Sequence, residues 1–305
     1  MASAIEVLSD SAIAVSNSQS DCISIRPIRE HDIEAAARAA FAAHSALAAR
    51  QEHPSEHPSP AFSAGLLSLK VKDPNAFGFV AEQNGKIVGS VFLNRFPSTP
   101  VAAIGPLTVD PEAEGSGAGR SLLRVALDHA RALSIPQVRL VQSPAHLRSL
   151  ALYSKAGFDV REPLVLMQSL PTTVSVAGAV RAATDDDIRA CEHLCDRVHG
   201  FVRADEIHVA VKQETATVVL RGSRITGYTT GIGFRGHAVG ETTEDLKAMI
   251  VARPTAGPGF FVPTRNGELL CWLFSSGYRA LWPAALMSTG AYQDPTAAFL
   301  PSIAY

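Results

Sequence analysis

Glu114-Gly115-Ser116-Gly117-Ala118-Gly119 puts three glycines into six residues, directly before Arg120, Ser121 and an apolar series of Leu122, Leu123, Val125, Ala126, Leu127 and Ala130. Glycine lets a backbone approach a ligand closely, and the amides at the start of a following helix point into such a loop. Phosphate binding is the chemistry this suits, with Arg120 adding a cation and Ser121 a hydroxyl. The pattern is neither a dinucleotide-binding Gly-x-Gly-x-x-Gly unit nor a phosphate loop with its Lys. Taken alone, it reads first as a structural turn.

A second cluster, Cys191, His193, Cys195 and His199, carries metal-ligand types at helical spacing. Ile188, Cys191, Cys195 and Val198 also follow the period of a buried helical face, where an unpaired Cys behaves as a small hydrophobe. The face is the expected role, and no metal is expected.

The elements that must position the glycine turn follow from periodicity and breakers. The first half reads as a strand, a helix, and a polar segment with Pro54, Pro58 and Pro60. Strands are expected at Gly78–Glu82, Ile87–Arg95 and Ala103–Val109. After the turn come a helix from Gly119 to about Leu133, a strand at Gln137–Gln142, a helix at Leu147–Ala156 and a last strand near Leu164–Gln168.

Much of this order recurs. Arg26, Asp32 and Ile33 return at constant separation as Arg181, Asp187 and Ile188, and Lys86-Ile87-Val88-Gly89 returns as Arg224-Ile225-Thr226-Gly227. Gly157-Phe158, Pro163 and Leu166-Met167 return as Gly277-Tyr278, Pro283 and Leu286-Met287. The expected organisation is a flexible tail over 1–22, a domain over 23–168, a linker over 169–179 and a shortened second copy over 180–305.

With 305 residues, 47% of them apolar, and a net charge of -2, the chain has material for two globular α/β (α+β) domains. Its cations are scattered, so nucleic acid is not an expected partner. The N-terminus resembles neither a signal peptide nor a membrane span, and four dispersed cysteines suit a reducing compartment, so a cytoplasmic location and no membrane contact are expected.

Leu107-Thr108-Val109-Asp110-Pro111, the glycine turn, and Arg148 to Phe158 with its Ala-x-Tyr-x-x-x-Gly-Phe run together resemble the GNAT superfamily of N-acetyltransferases. The resemblance implies a mostly antiparallel sheet flanked by helices in each of two tandem domains, and acetyl-CoA as acyl donor. It implies that Leu107, Thr108 and Val109 pair with the pantetheine arm. Gly115, Ser116, Gly117, Ala118, Gly119, Arg120 and Ser121 would hold the pyrophosphate, and Tyr153 would be the general acid. Tyr153 reads also as an amphipathic core aromatic. The implied acceptor is an amine of a small molecule or peptide, and the expected state is monomer or homodimer.

Two residues depart from the family pattern. Glu114 stands where Arg or Gln is usual, and His146 where Asn is common. The acceptor side falls on 41–69, rich in His44, Glu52, His53, Glu56 and His57, and no base is assigned among them. The segment Glu52–Pro58 reads equally as an exposed proline-rich loop.

In the second copy Arg235-Gly236-His237-Ala238-Val239-Gly240 aligns with the turn, Leu273 with Tyr153, and Asn266 with His146. The cofactor-pairing strand is expected to be missing or merged there, and the copy to be degenerate. A noncatalytic acyl-CoA sensor or scaffold is the competing function.

Overall fold

The computed structural model describes residues 13–15, 23–52, 54–168, 176 and 178–304. Residues 1–12 and 16–22 of the expected tail, most of the expected linker, Cys22, His53 and Tyr305 lie outside the described residues.

In chain order the elements are β1 (Ile13–Val15), β2 (Ile23–Pro27), α1 (Ile33–Gln51), α2 (Pro60–Lys72), β3 (Ala76–Gln83), β4 (Lys86–Arg95) and β5 (Val101–Val109). Then come α3 (Ala118–Ala132), β6 (Gln137–Gln142), α4 (Leu147–Lys155), β7 (Asp159–Gln168), β8 (Ala179–Ala182), α5 (Ile188–His199) and α6 (Ala204–Lys212). The chain ends with β9 (Thr217–Arg221), β10 (Arg224–Thr229), β11 (Ala238–Gly240), α7 (Thr243–Ala252), β12 (Phe260–Pro263), α8 (Gly267–Ser275), β13 (Arg279–Ser288) and β14 (Ala298–Leu300). The order from β2 to β7 repeats from β8 to β13: strand, 3-10 turn, two helices, three strands, helix, strand, helix, strand. Ile13–Val15, expected in the loose tail, instead pairs antiparallel with β2.

The repeated Arg and Asp have one physical job in both halves. Arg26 donates from Nη1 and Nη2 to Asp32 at 2.7 and 2.9 Å, and Asp32 also accepts the Arg29 amide at 2.8 Å. Arg181 grips Asp187 at 2.6 and 2.7 Å, and Asp187 takes the Thr184 amide at 2.8 Å. Each two-pronged pair ties a strand to the 3-10 turn that opens the next helix.

The chain forms two compact units, one of residues 1–95 with 104–135 and one of 96–103 with 136–305. In the first, β1 to β4 form an antiparallel sheet. Alternation puts Val80 and Phe92 on one face, against Ala36 and Ala37 of α1 and Leu67 of α2. Phe77 and Phe79 lie on the other, their rings 4.4 and 5.7 Å from His129 of α3.

In the second unit, β5 and β6 run parallel over Val101–Ala103 only. The order then continues β6-β13-β7-β12, with β13 antiparallel to both β6 and β7, and β12 antiparallel to β7. Each half's last strand therefore pairs with the penultimate strand of the other half. Leu164 and Leu166 of β7 are buried with Phe261, Trp282, Ala284 and Leu286.

A second, antiparallel sheet has the order β14-β11-β10-β9-β8. Val218, Tyr228 and Val239 face α5, and Val219 faces Leu246 and Met249 of α7. Cys191 and Cys195 are buried on the inner face of α5 with Ile188, Leu194 and Val198, as their period implied, while His193 is exposed. Among the described residues, no helix is long and apolar enough to cross a membrane.

Candidate functional site

The glycine turn lies in the first unit and grows out of β5. Thr108 is buried, its hydroxyl 3.3 Å from that of Ser90, and the Asp110 amide donates to the Val88 carbonyl at 2.8 Å. A Cβ at Gly89 would lie 2.6 Å from the Thr108 carbonyl oxygen, so glycine lets β4 meet the base of the turn. Leu107 and Val109 are half-buried.

Asp110 caps a short 3-10 turn, Pro111–Ala113, and the Ser116 amide closes back on the Ala113 carbonyl at 3.2 Å. Gly115 and Gly117 adopt φ of 89° and 96°, in the left-handed region where a side chain is strained. A Cβ at either would meet nothing within 4 Å, so the space over the turn is open.

Gly117 is the N-cap of α3 and offers no side-chain acceptor to the first amides of that helix. The Ser116 hydroxyl stands 3.3 Å from the Ala118 amide. Ala118, Leu122, Leu123, Ala126, Leu127 and Ala130 are buried, which fixes the helix and the direction of its N-terminus. Arg120 is exposed, and Gly119 and Ser121 are half-buried. The result is an open turn of backbone at the positive end of a 15-residue helix, chemistry that suits a phosphate-sized anion.

Glu114 is not left beside this turn as a bare negative charge. Its carboxylate is 3.3 Å from the guanidinium of Arg50 in the last turn of α1. Arg50 escaped the sequence reading because 64 residues separate the partners.

The loop between α1 and α2 is only partly exposed, which corrects one of its two readings. Pro54 and Pro58 are exposed, but His57 is buried and stacks on His44 with centroids 3.8 Å apart and planes 6° apart. Nδ1 of His57 lies 2.8 Å from the buried Ser63 hydroxyl. Burial and the His57 charge push His44 down to about 3, and burial lifts Glu56 to about 7. Glu52 is exposed.

Tyr153 lies in the second unit, on the inner face of α4. It is buried, its ring edge-on to Phe158 at 5.8 Å, and burial lifts its phenol to about 12. The group is thus held protonated through any ordinary pH. His146, just before α4, gives that helix no side-chain cap; its Nδ1 is 2.6 Å from the Ser149 hydroxyl.

The second half differs at each corresponding place. Ala238–Gly240 forms β11, not a loop, so its third strand is present but only three residues long. The chain enters α7 through Glu241 and Thr242. Thr242 and Asp245 form a reciprocal capping box, in which the Asp245 amide donates to Thr242 Oγ1 at 3.3 Å and the Thr242 amide to Asp245 Oδ2 at 3.0 Å. The alignment of Arg235–Gly240 with the glycine turn is overturned: trimming has drawn Ala238–Gly240 into the sheet, and side chains already occupy the helix start. Leu273 is buried at the position of Tyr153, and Asn266 caps α8 by accepting the Leu269 amide at 3.0 Å.

Residues 42–158 match the acetyltransferase (GNAT) family. That span takes in α1 from its middle, the glycine turn and α4 with Tyr153. Over 93 residues the chain is 33% identical to a mycothiol acetyltransferase of Thermomonospora curvata, covering 30% of this chain and 31% of that protein. Over 87 residues it is 36% identical to a mycothiol acetyltransferase of Beutenbergia cavernae, covering 28% and 29%. The matched stretch is thus under a third of the length of these relatives.

Two solved structures share the fold over nearly the whole chain. A putative acetyltransferase from Pyrococcus horikoshii has a TM-score of 0.70 at 14% identity, covering 92% of this chain and 95% of that one. A GCN5-related N-acetyltransferase from Sphaerobacter thermophilus has a TM-score of 0.60 at 14% identity, covering 90% and 98%. The fold is therefore the mixed α/β arrangement of GNAT-like chains, with helices flanking the sheets.

Proposed function

We propose that this chain is an N-acetyltransferase that takes an acetyl group from acetyl-CoA and transfers it to an amine of a small molecule or peptide. The observation that carries the reading is the turn itself: two left-handed glycines under open space, at a helix start whose N-cap residue is a glycine without a side-chain cap, inside the segment matched by the family. The corresponding helix of the second half starts with a reciprocal Thr242–Asp245 capping box that places a carboxylate at its N-terminus, so the donor is assigned to the first turn alone. On this reading 23–168 is the catalytic domain and 180–305 a degenerate copy.

The residues fit a pyrophosphate. Within 115–121, the amides of Gly115, Gly117, Gly119 and Arg120 would hold it, with Ser116, Ala118 and Ser121 shaping the turn; Arg120 would add charge at the rim, and the Arg50 pair reduces the repulsion expected of Glu114. Leu107, Thr108 and Val109 would align the pantetheine arm through their backbone. When bound, acetyl-CoA supplies an activated thioester acyl group. Tyr153 is assigned the acid: its phenol carries a proton at neutral pH and can give it to a departing thiolate within hydrogen-bond reach.

The relatives' name ties them to mycothiol. Because the shared stretch is short, the acceptor proposed here is the broader class of amines.

The test is thiol release from acetyl-CoA with a panel of amines, beside calorimetric titration of the donor. Turnover that falls by about 100-fold or more in Tyr153→Phe, with donor binding retained, supports the assignment. Donor binding without turnover on any amine favours a noncatalytic acyl-CoA sensor, and absence of donor binding removes the proposal.

A further inference from the structure

The turn between β4 and β5 comes from the first half of the chain but is held by the second. Residues 96–103 belong to the second unit and 104–135 to the first, so β5 begins in one and ends in the other.

Within this turn the Thr99 amide donates to the Phe96 carbonyl at 3.0 Å, and the Val101 amide to Thr99 Oγ1 at 3.3 Å. The Ser98 amide instead donates to Asp205 Oδ2, on α6, at 2.7 Å. In return the Asp205 amide donates to Ser98 Oγ at 3.2 Å. The two partners stand 107 residues apart in the chain.

Each partner satisfies a backbone group that the other's element leaves open. Asp205 is the second residue of α6, whose N-cap, Arg203, supplies no side-chain cap, so the helix start takes its acceptor from Ser98. The turn receives a carboxylate in exchange, a strong acceptor for an amide. The two bonds have the reciprocity of a capping box whose members lie on distant stretches of chain.

Apolar packing supports the same place. Phe201, just before α6, is buried with Val101 and Ala103, and Phe96 packs against them. Val101, Ala102 and Ala103 also pair with Gln137, Val138 and Arg139 of β6. Among the described residues that pairing goes no further than Ala103, and Leu107 lies about 20 Å beyond Val101 along an extended strand. The direction of β5 toward the glycine turn is therefore set where it starts.

We propose that Ser98 and Asp205 form a clasp by which the second half of the chain sets the line of β5, and that both are positioning residues for 107–109 and the glycine turn. The clasp stands on its own geometry; its bearing on acetyl-CoA rests on the function proposed above. The second half thereby has a task that needs no donor of its own.

The experiment compares full-length wild type, Asp205→Ala, Asp205→Asn, Ser98→Ala and Thr242→Ala in two ways. Hydrogen exchange over 104–109 is followed without ligand, and acetyl-CoA is titrated by calorimetry. Asp205→Ala should exchange about tenfold faster over 104–109, as a segment that opens more often. It should bind acetyl-CoA about fivefold more weakly, because only part of the population presents the strand in line. Asp205→Asn keeps an acceptor for the Ser98 amide and should stay near wild type in both. Ser98→Ala removes only the return bond and should move both readings the same way, by less. Thr242→Ala removes a different cap, that of α7, and sets the level that a general loss of stability produces.

The clasp is overturned if exchange over 104–109 is unchanged in Asp205→Ala, or if Thr242→Ala raises it as much. Exchange that rises while acetyl-CoA affinity keeps its wild-type value overturns the positioning role. If wild type binds no acetyl-CoA, the proposed function fails, and exchange alone decides the clasp.

Discussion

At the scale of single residues, two glycines and one ion pair shape the turn proposed to hold the donor. Gly117→Val imposes a β-branched side chain on a φ of 96°, a strain of roughly 1–2 kcal/mol, and places its methyl groups in the open space over the turn. Loss of acetyl-CoA binding by calorimetry, with Tm lowered by only a few degrees, is the expected outcome. Arg50→Ala should weaken donor binding by about fivefold, the range of a partly exposed ion pair, and adding Glu114→Gln should restore it. If Glu114 were turned away from the ligand, the single and double variants would bind alike. The turn was legible from its local glycine spacing and the helical period behind it. Arg50 was not, because a pair joined only by the packing of α1 beside the turn leaves no trace in spacing.

Helices and strands carry their own tests. α3 presents His129 to Phe77 and Phe79 with both ring nitrogens buried and without a partner among the described residues, and burial lowers its pKa. His129→Leu should therefore stabilise the protein by about 1 kcal/mol in urea unfolding while leaving the turn intact. Thr242→Ala should destabilise it by about 1 kcal/mol through loss of the α7 cap, without changing donor affinity. The element order was largely readable, because hairpins, caps and the Arg26–Asp32 pair use short-range chemistry. β11 was misread because the trimmed second half turns an aligned loop into a strand, and sequence alignment alone does not distinguish the two. The buried place of His57 was also hidden: prolines around it indicate a loop but not that its ring would stack on His44.

For the molecule as a whole, buried ionisable groups shape the response to pH. His44 and His199 have folded values near 3 against an ordinary 6.5, so the unfolded chain binds more protons between those values. Their contribution to stability is complete above about 6.5 and is lost as pH falls toward 3. Glu56 and Glu162, raised from 4.5 to about 7, act oppositely: their contribution is complete below 4.5 and is lost as pH rises through 7. The two sets oppose each other between pH 7 and pH 4.5, so the test is a difference: the urea midpoint of His44→Phe, which keeps a ring against His57, should shift toward greater stability relative to wild type as pH falls from 7 to 4.5. Equal slopes would show that His44 is already exposed to protons in the native state. The crossing of β7 and β13 between halves was outside the reach of the sequence, because each copy taken alone has the strands of a self-contained sheet.

That crossing also sets a timetable. Met167 in β7 pairs with Phe260 in β12, and Leu166 with Trp282 in β13. As the chain leaves the ribosome, β7 emerges long before either neighbour has been translated, with Leu164 and Leu166 lacking the residues that bury them. The nascent first half must wait in that state for most of the second to be made. A holdase that shields β strands would meet it in this interval, and a stop codon after Gln168 would release a product with its adhesive edge still open.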